Sequence, residues 1–232
     1  MGIGAGDLLE VIDEVDSTNR LALERAAEGA PHGTTILARR QTAGRGRQGR
    51  SWLSDDGALT LSVVVRGPVA GGLLPLRAGL AVARTAGAAA RVKWPNDVLV
   101  DGRKVAGILV EQAGSDAAVL GIGLNVAVDL EALPDHVSAR AGSLGRDASE
   151  LDAVRDELLV ELTDALSLDA PTIVQLLGAR DALAGRAVAW TTSEGAERQE
   201  GHAEGIEADG RLKVRLPDGE LLHLAGGEVH LL

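Results

Sequence analysis

The stretch RVKWPNDVLVDGRKVAGILVE, which begins at residue 91, carries the strongest structural signal in the chain. Two apolar runs flank the dipeptide Asp101-Gly102, and Asp-Gly readily adopts the positive φ angles of a two-residue hairpin turn. The stretch therefore predicts two antiparallel strands in which Leu99 lies opposite Lys104. Side chains alternate between the two faces of a strand, so Asp97 is expected on the same face as that pair. Lys104 and the carboxylate of Asp97 are thus expected on one face of a sheet.

Other segments alternate between strand and helix character. Three runs rich in apolar and β-branched residues predict strands: 34–38, 58–65 and 118–128. Three stretches with apolar residues at helical spacing predict helices: 21–29, 73–90 and 148–168. Ser17 is a candidate N-cap for the first helix, and the acids of the third are interpreted as a solvated face.

The last part of the chain has a different texture. From about Gly185 onward, short alternating segments are separated by Glu-Gly, Asp-Gly and Gly-Gly turns. This pattern predicts a small β-barrel domain at residues 183–232, which follows a larger domain at residues 1–182.

The composition excludes several classes of protein. The chain has no cysteine, which excludes disulfide-stapled folds, thiolate nucleophiles and zinc knuckles, and its five histidines are not spaced like a metal site. No metal-ligating residue is therefore predicted. The formal net charge is −11, and we find no charged leader, 18-residue apolar run or lipidation motif. We expect a soluble cytoplasmic protein that binds neither nucleic acid nor a membrane.

The stretch QTAGRGRQGRSW, residues 41–52, is positively charged although the chain as a whole is negative. Counting from Arg39, five arginines fall within twelve residues without one acid. Cations concentrated in an acidic chain favour an anionic ligand, and guanidinium groups can grip carboxylate or phosphate oxygens in bidentate fashion. Gly44 and Gly46 allow close backbone approach, and Trp52 offers a face for a flat ring. A solvated loop is the alternative for this stretch alone, whereas the net charge and the absence of Phe and Tyr disfavour an RNA-binding tract.

Rare residue types are concentrated in four short stretches. All three asparagines, two of the three lysines and two of the three tryptophans lie in DSTNR, GRGRQGRSW, KWPND with its downstream GRK, and GIGLNV. Each stretch also has a plain structural interpretation: a helix cap for Ser-Thr-Asn, an ordinary turn for KWPND in which Trp94 fills the core and Asn96 caps backbone groups, backbone partners for Asn125, and a surface position for Lys104. The concentration of rare residues favours a functional interpretation.

Taken together and in this order, DSTN, QTAGRGRQGRSW, KWPNDVLVDGRKVAGILVE and GIGLNV resemble the biotin protein ligase family, also called biotin–[acetyl-CoA-carboxylase] ligases. The tail GGEVHLL resembles that family's small C-terminal domain. The resemblance implies an α/β (α+β) fold, with a mixed-sheet catalytic domain of the biotin/lipoate ligase type and a C-terminal SH3-like β-barrel. It also implies that biotin and ATP give biotinyl-5′-AMP and pyrophosphate, with Mg²⁺ on the phosphates. Biotin then passes to a lysine of a biotin carboxyl carrier protein.

The resemblance further implies roles for individual residues. The catalytic residues would be Lys104 and Arg47. The biotin-binding residues would be Ser17, Thr18, Asn19, Gln41, Gly44, Arg45, Gly46, Arg47, Lys104 and Gly107. The ATP-binding residues would be Arg50, Trp52, Lys93, Asn96, Asp97 and Asn125. Residues 41–52, called the arginine loop below, are expected to close over the substrates, and Trp52 is then expected to stack on adenine.

Two departures from the family pattern qualify these expectations. Relatives that act as repressors begin with a helix-turn-helix domain, whereas twelve residues precede Asp13 here, so we expect the monofunctional form. Relatives often carry a basic residue where this chain has Leu232, which leaves an ATP contact from the small domain open.

A lipoate ligase of related fold is the closest alternative, although no RRxxGGGxVxHD-like stretch is present. A catalytically silent binder is a second alternative, but it would lack one of the cations Lys93, Lys104 and Arg47, all of which are present. A monomer and a homodimer are both compatible with the sequence.

Overall fold

The computed structural model describes residues 3–4, 6–53, 56–67, 71–191 and 197–232. The first sheet consists of seven strands: β1 (Leu9–Val15), β2 (Thr35–Gln41), β3 (Ala58–Arg66), β4 (Arg91–Lys93), β5 (Asp97–Val100), β6 (Arg103–Gln112) and β7 (Ala117–Asn125). Their order in the sheet is β1-β2-β3-β7-β6-β5-β4. β1 and β2 are parallel, and the other neighbouring pairs are antiparallel. The sheet is therefore mixed, as the sequence predicts.

Helices cover both faces of this sheet. They are α1 (Thr18–Ala27), α2 (Leu74–Thr85), α3 (Asp135–Ser138), α4 (Leu151–Ser167) and α5 (Ala170–Gly178), with 3₁₀ turns at Gly6–Leu8, Arg47–Gly49, Gly71–Leu73, Leu130–Ala132 and Ala148–Glu150. α1 packs against β2, β3 and β7, where Ala22 contributes to a small cluster with Val64 and Val119. α2 and α4 pack with the main core, which contains Leu61 and Ile122. Because side chains alternate along a strand, these two clusters lie on opposite faces of the sheet.

The hairpin at residues 97–112 confirms the predicted turn. Asp101 and Gly102 have φ angles of 51° and 76°. Leu99 pairs with Lys104 across the strands, as the two-residue turn requires. The register then shifts by one residue, so that Asp97 pairs with Gly107. This shift adds one residue to β6, and the lysine and the carboxylate still meet.

The sequence predicts one continuous strand from residue 91 to this turn, and that prediction is wrong. Residues 94–96 turn the chain back on itself, so that β4 and β5 form an antiparallel pair with Lys93 opposite Asp97. Trp94 fills the core at 2% exposure, as its plain structural interpretation holds. The helices predicted at 73–90 and 148–168 are present but shorter. β1 and α5 have no counterpart in the sequence predictions.

The second sheet consists of five antiparallel strands: β8 (Ala187–Thr191), β9 (Gln199–Ile206), β10 (Leu212–Arg215), β11 (Leu221–Leu224) and β12 (Glu228–Leu231). Their order is β11-β10-β9-β8-β12. The end strands β11 and β12 are not paired with each other, so the expected barrel is not closed within the described residues. The side chain of Trp190 is 1% exposed in the core of this sheet. The domain division after residue 182 remains a prediction.

The two sheets are joined by backbone and side-chain contacts. The indole Nε1 of Trp94 donates a hydrogen bond to the carbonyl of Gly210, at the turn between β9 and β10, at 2.9 Å. Gly72 lies against this same turn, because a Cβ at position 72 would be 2.5 Å from the carbonyl oxygen of Asp209. The small sheet is therefore seated on the N-terminal end of α2 and on the turn after β4.

Candidate active site

A side-chain-free floor is formed where β6 and β7 lie next to each other. Gly107 and Gly123 are paired across these strands, and the indole of Trp52 lies over both of them. A Cβ at Gly123 would lie 2.3 Å from Cε2 of Trp52, and one at Gly107 would lie 3.2 Å from Cζ3. Glycine at these two positions therefore creates the space that the indole occupies. The indole Nε1 is buried and has no hydrogen-bond partner among the described residues.

A cluster of buried polar side chains lies beside this floor, on the α1 face of the sheet. The backbone N–H of Thr18 donates to Oε1 of Gln41 at 2.8 Å, and the Thr18 hydroxyl lies 3.1 Å from the same oxygen. Ser62 on β3 contacts the Thr18 hydroxyl at 2.8 Å and Oδ1 of Asn19 at 2.6 Å. Ser17 has the extended conformation of an N-cap, but its side chain makes no capping hydrogen bond. The helix-cap interpretation thus does not account for these side chains.

The arginine loop is a short hairpin that folds over the floor. Arg45 bridges to Ser51, and the N–H of Trp52 donates to the carbonyl of Gly44 at 2.9 Å. Gly44 is needed at this crossing, because a Cβ there would lie 2.4 Å from the carbonyl oxygen of Trp52. Gln48 has a φ of 56° at the tip of the loop. The loop is thus a defined turn with its own backbone bonds.

The five arginines of this region do not act together, and this corrects the sequence analysis. Arg39 and Arg40 belong to β2, where they pair with Asp13 and Glu14 of the adjacent strand β1. They are surface ion pairs and lie away from the floor. The cations that surround the floor are therefore the three arginines of the loop and Lys104.

Each loop arginine meets a partner from a different part of the chain. Nη1 of Arg47 donates to Oδ1 of Asn96 at 2.9 Å, and burial lowers the pKa of Arg47. Asn96 in turn donates to the carbonyl of Ile108 at 2.9 Å, which fixes the orientation of its amide.

The other two loop arginines pair with carboxylates. Nη1 of Arg45 lies 3.6 Å from Glu111 of β6. Nη1 of Arg50 pairs at 2.9 Å with Glu228 of β12, so the small sheet contacts the loop through an acid. Burial opposes ionisation of Glu228, but Arg50, His230 and Lys93 together outweigh it, and the pKa of Glu228 is lowered.

Lys104 lies at the centre of the site. Its Nζ is 2.6 Å from Oδ1 of Asp97 and 5.8 Å from the centroid of the Trp52 ring. The predicted lysine–carboxylate pair on one face of the hairpin is therefore present. Behind it, burial lowers the pKa of Lys93, and the neighbouring charges of Lys104 and Arg140 lower it further, while Asp97 and Glu228 raise it.

Two cavities meet at Lys104, Trp52 and Ser51. The first cavity contains most of the predicted site residues: Ser17, Thr18, Asn19, Gln41, Arg45, Gly46, Arg47, Arg50, Trp52, Asn96, Lys104 and Gly107. The second cavity also includes Trp52 and is more apolar, with walls from Asn125, Val128, Leu133, Val137 and Arg140. Asn125 also donates to the carbonyl of Gly142 at 2.8 Å, in agreement with its plain structural interpretation.

Some predicted residues lie outside these walls. Gly44, Lys93 and Asp97 line neither cavity, and Arg50 and Asn96 line the first cavity although they were assigned to the ATP side. Four polar residues at or near the site were not predicted at all: Ser62, Glu111, Arg140 and Glu228. They come from segments whose sequence signal is that of an ordinary strand or loop, and folding alone brings them to the site.

Comparison with known families gives this geometry a context. Residues 11–129 match the model of the biotin/lipoate A/B protein ligase family, and this range contains the floor, the arginine loop and Lys104. The chain belongs to the biotin/lipoate A/B protein ligase family. Residues 184–232, which include the second sheet, match the family's biotin protein ligase C-terminal domain.

Individual relatives from the ligase family match between 60% and 99% of the chain. The biotin–[acetyl-CoA-carboxylase] ligase of Mycobacterium tuberculosis is 38% identical over 257 aligned positions, which cover 99% of this chain and 92% of that protein. The bifunctional ligase/repressor BirA of Bacillus spizizenii is 38% identical over 150 positions, which cover 60% of this chain and only 46% of that protein. The solved biotin protein ligase from Aquifex aeolicus in complex with biotin and ATP is 28% identical with a TM-score of 0.79. That match covers 98% of this chain and 99% of the other.

Two features are absent from the described residues. None of the helices is both long and apolar enough to cross a membrane. No cluster of three or more His, Asp or Glu side chains is arranged to hold a metal ion in that part of the ligase chain.

Proposed function

We propose that this chain is a biotin protein ligase, which joins biotin to ATP as biotinyl-5′-AMP and then transfers biotin to a lysine of a biotin carboxyl carrier protein. The observation that carries the proposal is the meeting of two cavities at one lysine. The first cavity is polar at its inner end and has a glycine floor. The second is more apolar and shares Trp52 and Lys104 with the first. Two substrates in these cavities would meet at the ammonium of Lys104.

The first cavity suits biotin. Its ureido ring presents two N–H donors and one carbonyl acceptor, and such a group needs fixed hydrogen-bonding partners in a pocket that is otherwise apolar. Thr18, Asn19 and Ser62 are at most 4% exposed and are tied to one another by hydrogen bonds, which holds them in place. The floor and the indole of Trp52 would contact the apolar ring and chain.

The second cavity suits the adenosine part of ATP. Its apolar walls and the edge of Trp52 can enclose a flat base, and Arg140 supplies a cation. Arg47 and Arg50 of the loop would act on the phosphates, together with Lys93, which pairs with Asp97 across β4 and β5.

The residues present fit the chemistry of adenylate formation. A carboxylate oxygen of biotin attacks the α-phosphorus of ATP, and the bond from that phosphorus to the β-phosphate oxygen breaks to release pyrophosphate. Two anions approach each other in this step, and prearranged cations lower its barrier. Lys104, Arg47 and Arg50 provide them, and no nucleophile from the protein is needed. Lys104 would exchange its 2.6 Å contact with Asp97 for the reacting anions.

Mg²⁺ is expected on the phosphates, where it would neutralise charge. Mg²⁺ commonly binds through one or two carboxylates together with substrate phosphates and water. The part of the chain that is described has no dedicated metal cluster, and Asp97 is the carboxylate beside Lys104. This donor set suits an ion that arrives with the nucleotide.

The second step passes biotin to the carrier protein. The neutral amine of a carrier lysine attacks the acyl carbon of the adenylate, the bond from that carbon to the phosphate oxygen breaks, and AMP leaves as the nitrogen loses a proton. A reactive adenylate must be held away from other amines until then, and a loop that covers the site is a physical means of doing so. The arginine loop, held by Arg47 to Asn96 and by Arg50 to Glu228, fits that task.

The experiment that tests the proposal measures the first step. Purified protein is incubated with ATP, Mg²⁺ and either biotin or lipoate, and acyl-adenylate and pyrophosphate are quantified. Biotinyl-AMP from biotin with no lipoyl-AMP from lipoate is expected, whereas the reverse preference would favour a lipoate ligase. Lys104→Ala should reduce pyrophosphate release by about 10²-fold, the usual loss for one electrostatic contact in a transition state. Lys213→Ala is the matched control, because Lys213 lies in the second sheet beside Glu204. Near wild-type rates from the Lys104 variant would contradict its role.

A further inference from the structure

We infer that Glu111 is a positioning residue of the biotin site: it fixes the amide of Asn19 and, through Ser62, makes the Thr18 hydroxyl a hydrogen-bond acceptor toward the ligand. The inference rests on the proposed function, because it assigns the ligand groups that Thr18 would meet. Glu111 lies on β6 and does not line the first cavity. It acts through other residues rather than by touching the ligand.

The amide of Asn19 is held in one orientation. Its Nδ2 lies 2.8 Å from Oε2 of Glu111 and 3.5 Å from the carbonyl oxygen of Leu109, which is the longer and weaker of the two contacts. An ionised carboxylate can only accept hydrogen bonds, so the amide must present its NH₂ group there. Asn19 is 4% exposed and lies flat across β7, because a Cβ at Gly121 would be 2.1 Å from its Oδ1. Glycine at 121 and the carboxylate at 111 together leave the amide one way to lie.

This orientation decides where the proton of Ser62 goes. Oδ1 of Asn19 is a carbonyl oxygen, so it can only accept, and it lies 2.6 Å from the Ser62 hydroxyl. Ser62 has one proton and therefore donates it to Asn19. In its second contact, at 2.8 Å to the Thr18 hydroxyl, Ser62 can then only accept, so Thr18 receives no proton from Ser62.

The same reasoning fixes what Thr18 offers to the cavity. Its hydroxyl proton faces Ser62 or Oε1 of Gln41, which lies 3.1 Å away, and both are oxygen acceptors. The hydroxyl oxygen of Thr18, which lines the first cavity, is left with a lone pair for the ligand. An N–H of the ureido ring is the complementary group.

After removal of the Glu111 carboxylate, the hydrogen-bond directions of Asn19, Ser62 and Thr18 would no longer be fixed. Without Glu111, the NH₂ group of Asn19 keeps just the 3.5 Å contact with the carbonyl of Leu109 among the described residues, so the amide is held weakly enough to rotate and Ser62 can donate to Thr18. The Thr18 hydroxyl then accepts from Ser62, so one of its lone pairs is no longer available to the ligand, and its own proton can turn from Oε1 of Gln41 toward the cavity, where it would meet an N–H donor of the ligand. A donor that faces a donor loses the hydrogen bond and leaves buried groups unsatisfied, which corresponds to about a 10- to 100-fold loss of affinity.

The second contact of Glu111, with Arg45, contributes little. The pair is separated by 3.6 Å, and the Arg45 side chain is 54% exposed, so the attraction is screened by water. The acceptor oxygen at position 111 therefore matters more than the negative charge. Glu111→Gln keeps an oxygen that can accept from Asn19, whereas Glu111→Ala does not.

The test measures KM for biotin, KM for ATP and kcat in the pyrophosphate release assay, together with Tm. Glu111→Ala should raise the KM for biotin by about 10- to 100-fold and leave the KM for ATP within about threefold of wild type. Glu111→Gln should recover most of the affinity for biotin. A purely structural role would change Tm and both KM values together, with no selective effect on biotin.

A double-mutant cycle with Thr18→Val tests the route of the effect. If Glu111 acts through Thr18, the double variant should bind biotin about as weakly as Thr18→Val alone. Additive losses would overturn the inference, as would a Glu111→Ala variant with an unchanged KM for biotin. Failure of the wild-type protein to form biotinyl-AMP would instead refute the proposed function, so the two failures are distinguishable.

Discussion

Replacement of Gly123 by alanine is expected to displace Trp52 from the floor between the two cavities. The added methyl group would lie 2.3 Å from Cε2 and 2.6 Å from both Cζ2 and Nε1 of the indole. Carbon atoms in ordinary contact are at least 3.4 Å apart. The indole must therefore retreat by about 1 Å, and the backbone of β7 cannot move away because it is paired with β3 and β6 on both sides.

The magnitude follows from the position of Trp52 at both cavities. A displacement of about 1 Å in a residue that positions reacting groups can reduce the rate by about 10²-fold. We expect a loss of that size in kcat/KM for adenylate formation, measured as pyrophosphate release. Gly107→Ala provides a graded comparison, because its methyl group would lie 3.2 Å from both the indole and Nζ of Lys104. A few tenths of an ångström would relieve that contact, and its loss should be smaller.

A second variant tests whether the indole is the cause. In a Trp52→Ala background there is no ring to displace, so the addition of Gly123→Ala should have little further effect. If Gly123→Ala costs as much in that background as in the wild type, the methyl group acts by another route and the reasoning is refuted. Equal Tm values for the single variants would show that the losses do not come from unfolding.

Two further predictions follow from contacts outside the floor. Arg47→Gly removes the 2.9 Å bond to Asn96 that fastens the loop, so biotinyl-AMP should escape about 10- to 150-fold faster and label an unrelated lysine-rich protein on a biotin blot. Arg39→Gly is the control, because Arg39 pairs with Asp13 on the surface away from the floor, and an unlabelled bystander alongside intact adenylate synthesis would contradict the role of Arg47. Burial raises the pKa of Asp181, against the opposing N–H groups of Leu183 and Ala184, and its Oδ2 has no partner among the described residues. The folded state thus binds this proton more tightly than the unfolded state, so stability falls as pH rises from about 3.9 through the raised pKa. Asp181→Asn should raise Tm at pH 7 by about 2–4 °C, the shift for about 1 kcal/mol in a chain of this size. The difference should shrink as the pH falls toward 4, and a pH-independent difference in thermal melts would contradict the assignment.

Local chemistry accounts for the parts of the site that the sequence predicts well. The turn at Asp101-Gly102 and the pairing of Leu99 with Lys104 follow from the φ angles that two neighbouring residues can adopt. The composition of the arginine loop likewise indicates a ligand-facing segment. Such signals depend on a few consecutive residues and need no knowledge of distant strands.

Long-range pairing accounts for the parts that the sequence does not predict. Glu111 and Glu228 lie in strands of ordinary pattern, and only the assembled sheets bring them to Arg45 and Arg50. For the same reason, Arg39 cannot be separated from the loop in the sequence, since its partner on β1 belongs to a strand that carries no clear signal of its own. The break between β4 and β5 falls at residues 94–96, where an ordinary turn is the plain interpretation of KWPND, and the structure has that turn.

The placement of the tryptophans makes the chain its own optical reporter. There is no tyrosine or phenylalanine, so near-ultraviolet emission comes from three indoles alone. Trp94 and Trp190 are 2% and 1% exposed, and each belongs to the packed core of one sheet. Trp52 is partly exposed and lies between the cavities. A ligand that enters either cavity changes the surroundings of this one ring while the other two form a constant background. Binding and loop closure should therefore be measurable from unlabelled protein, by stopped-flow fluorescence and quenching with acrylamide, with Trp52→Phe as the silent reference.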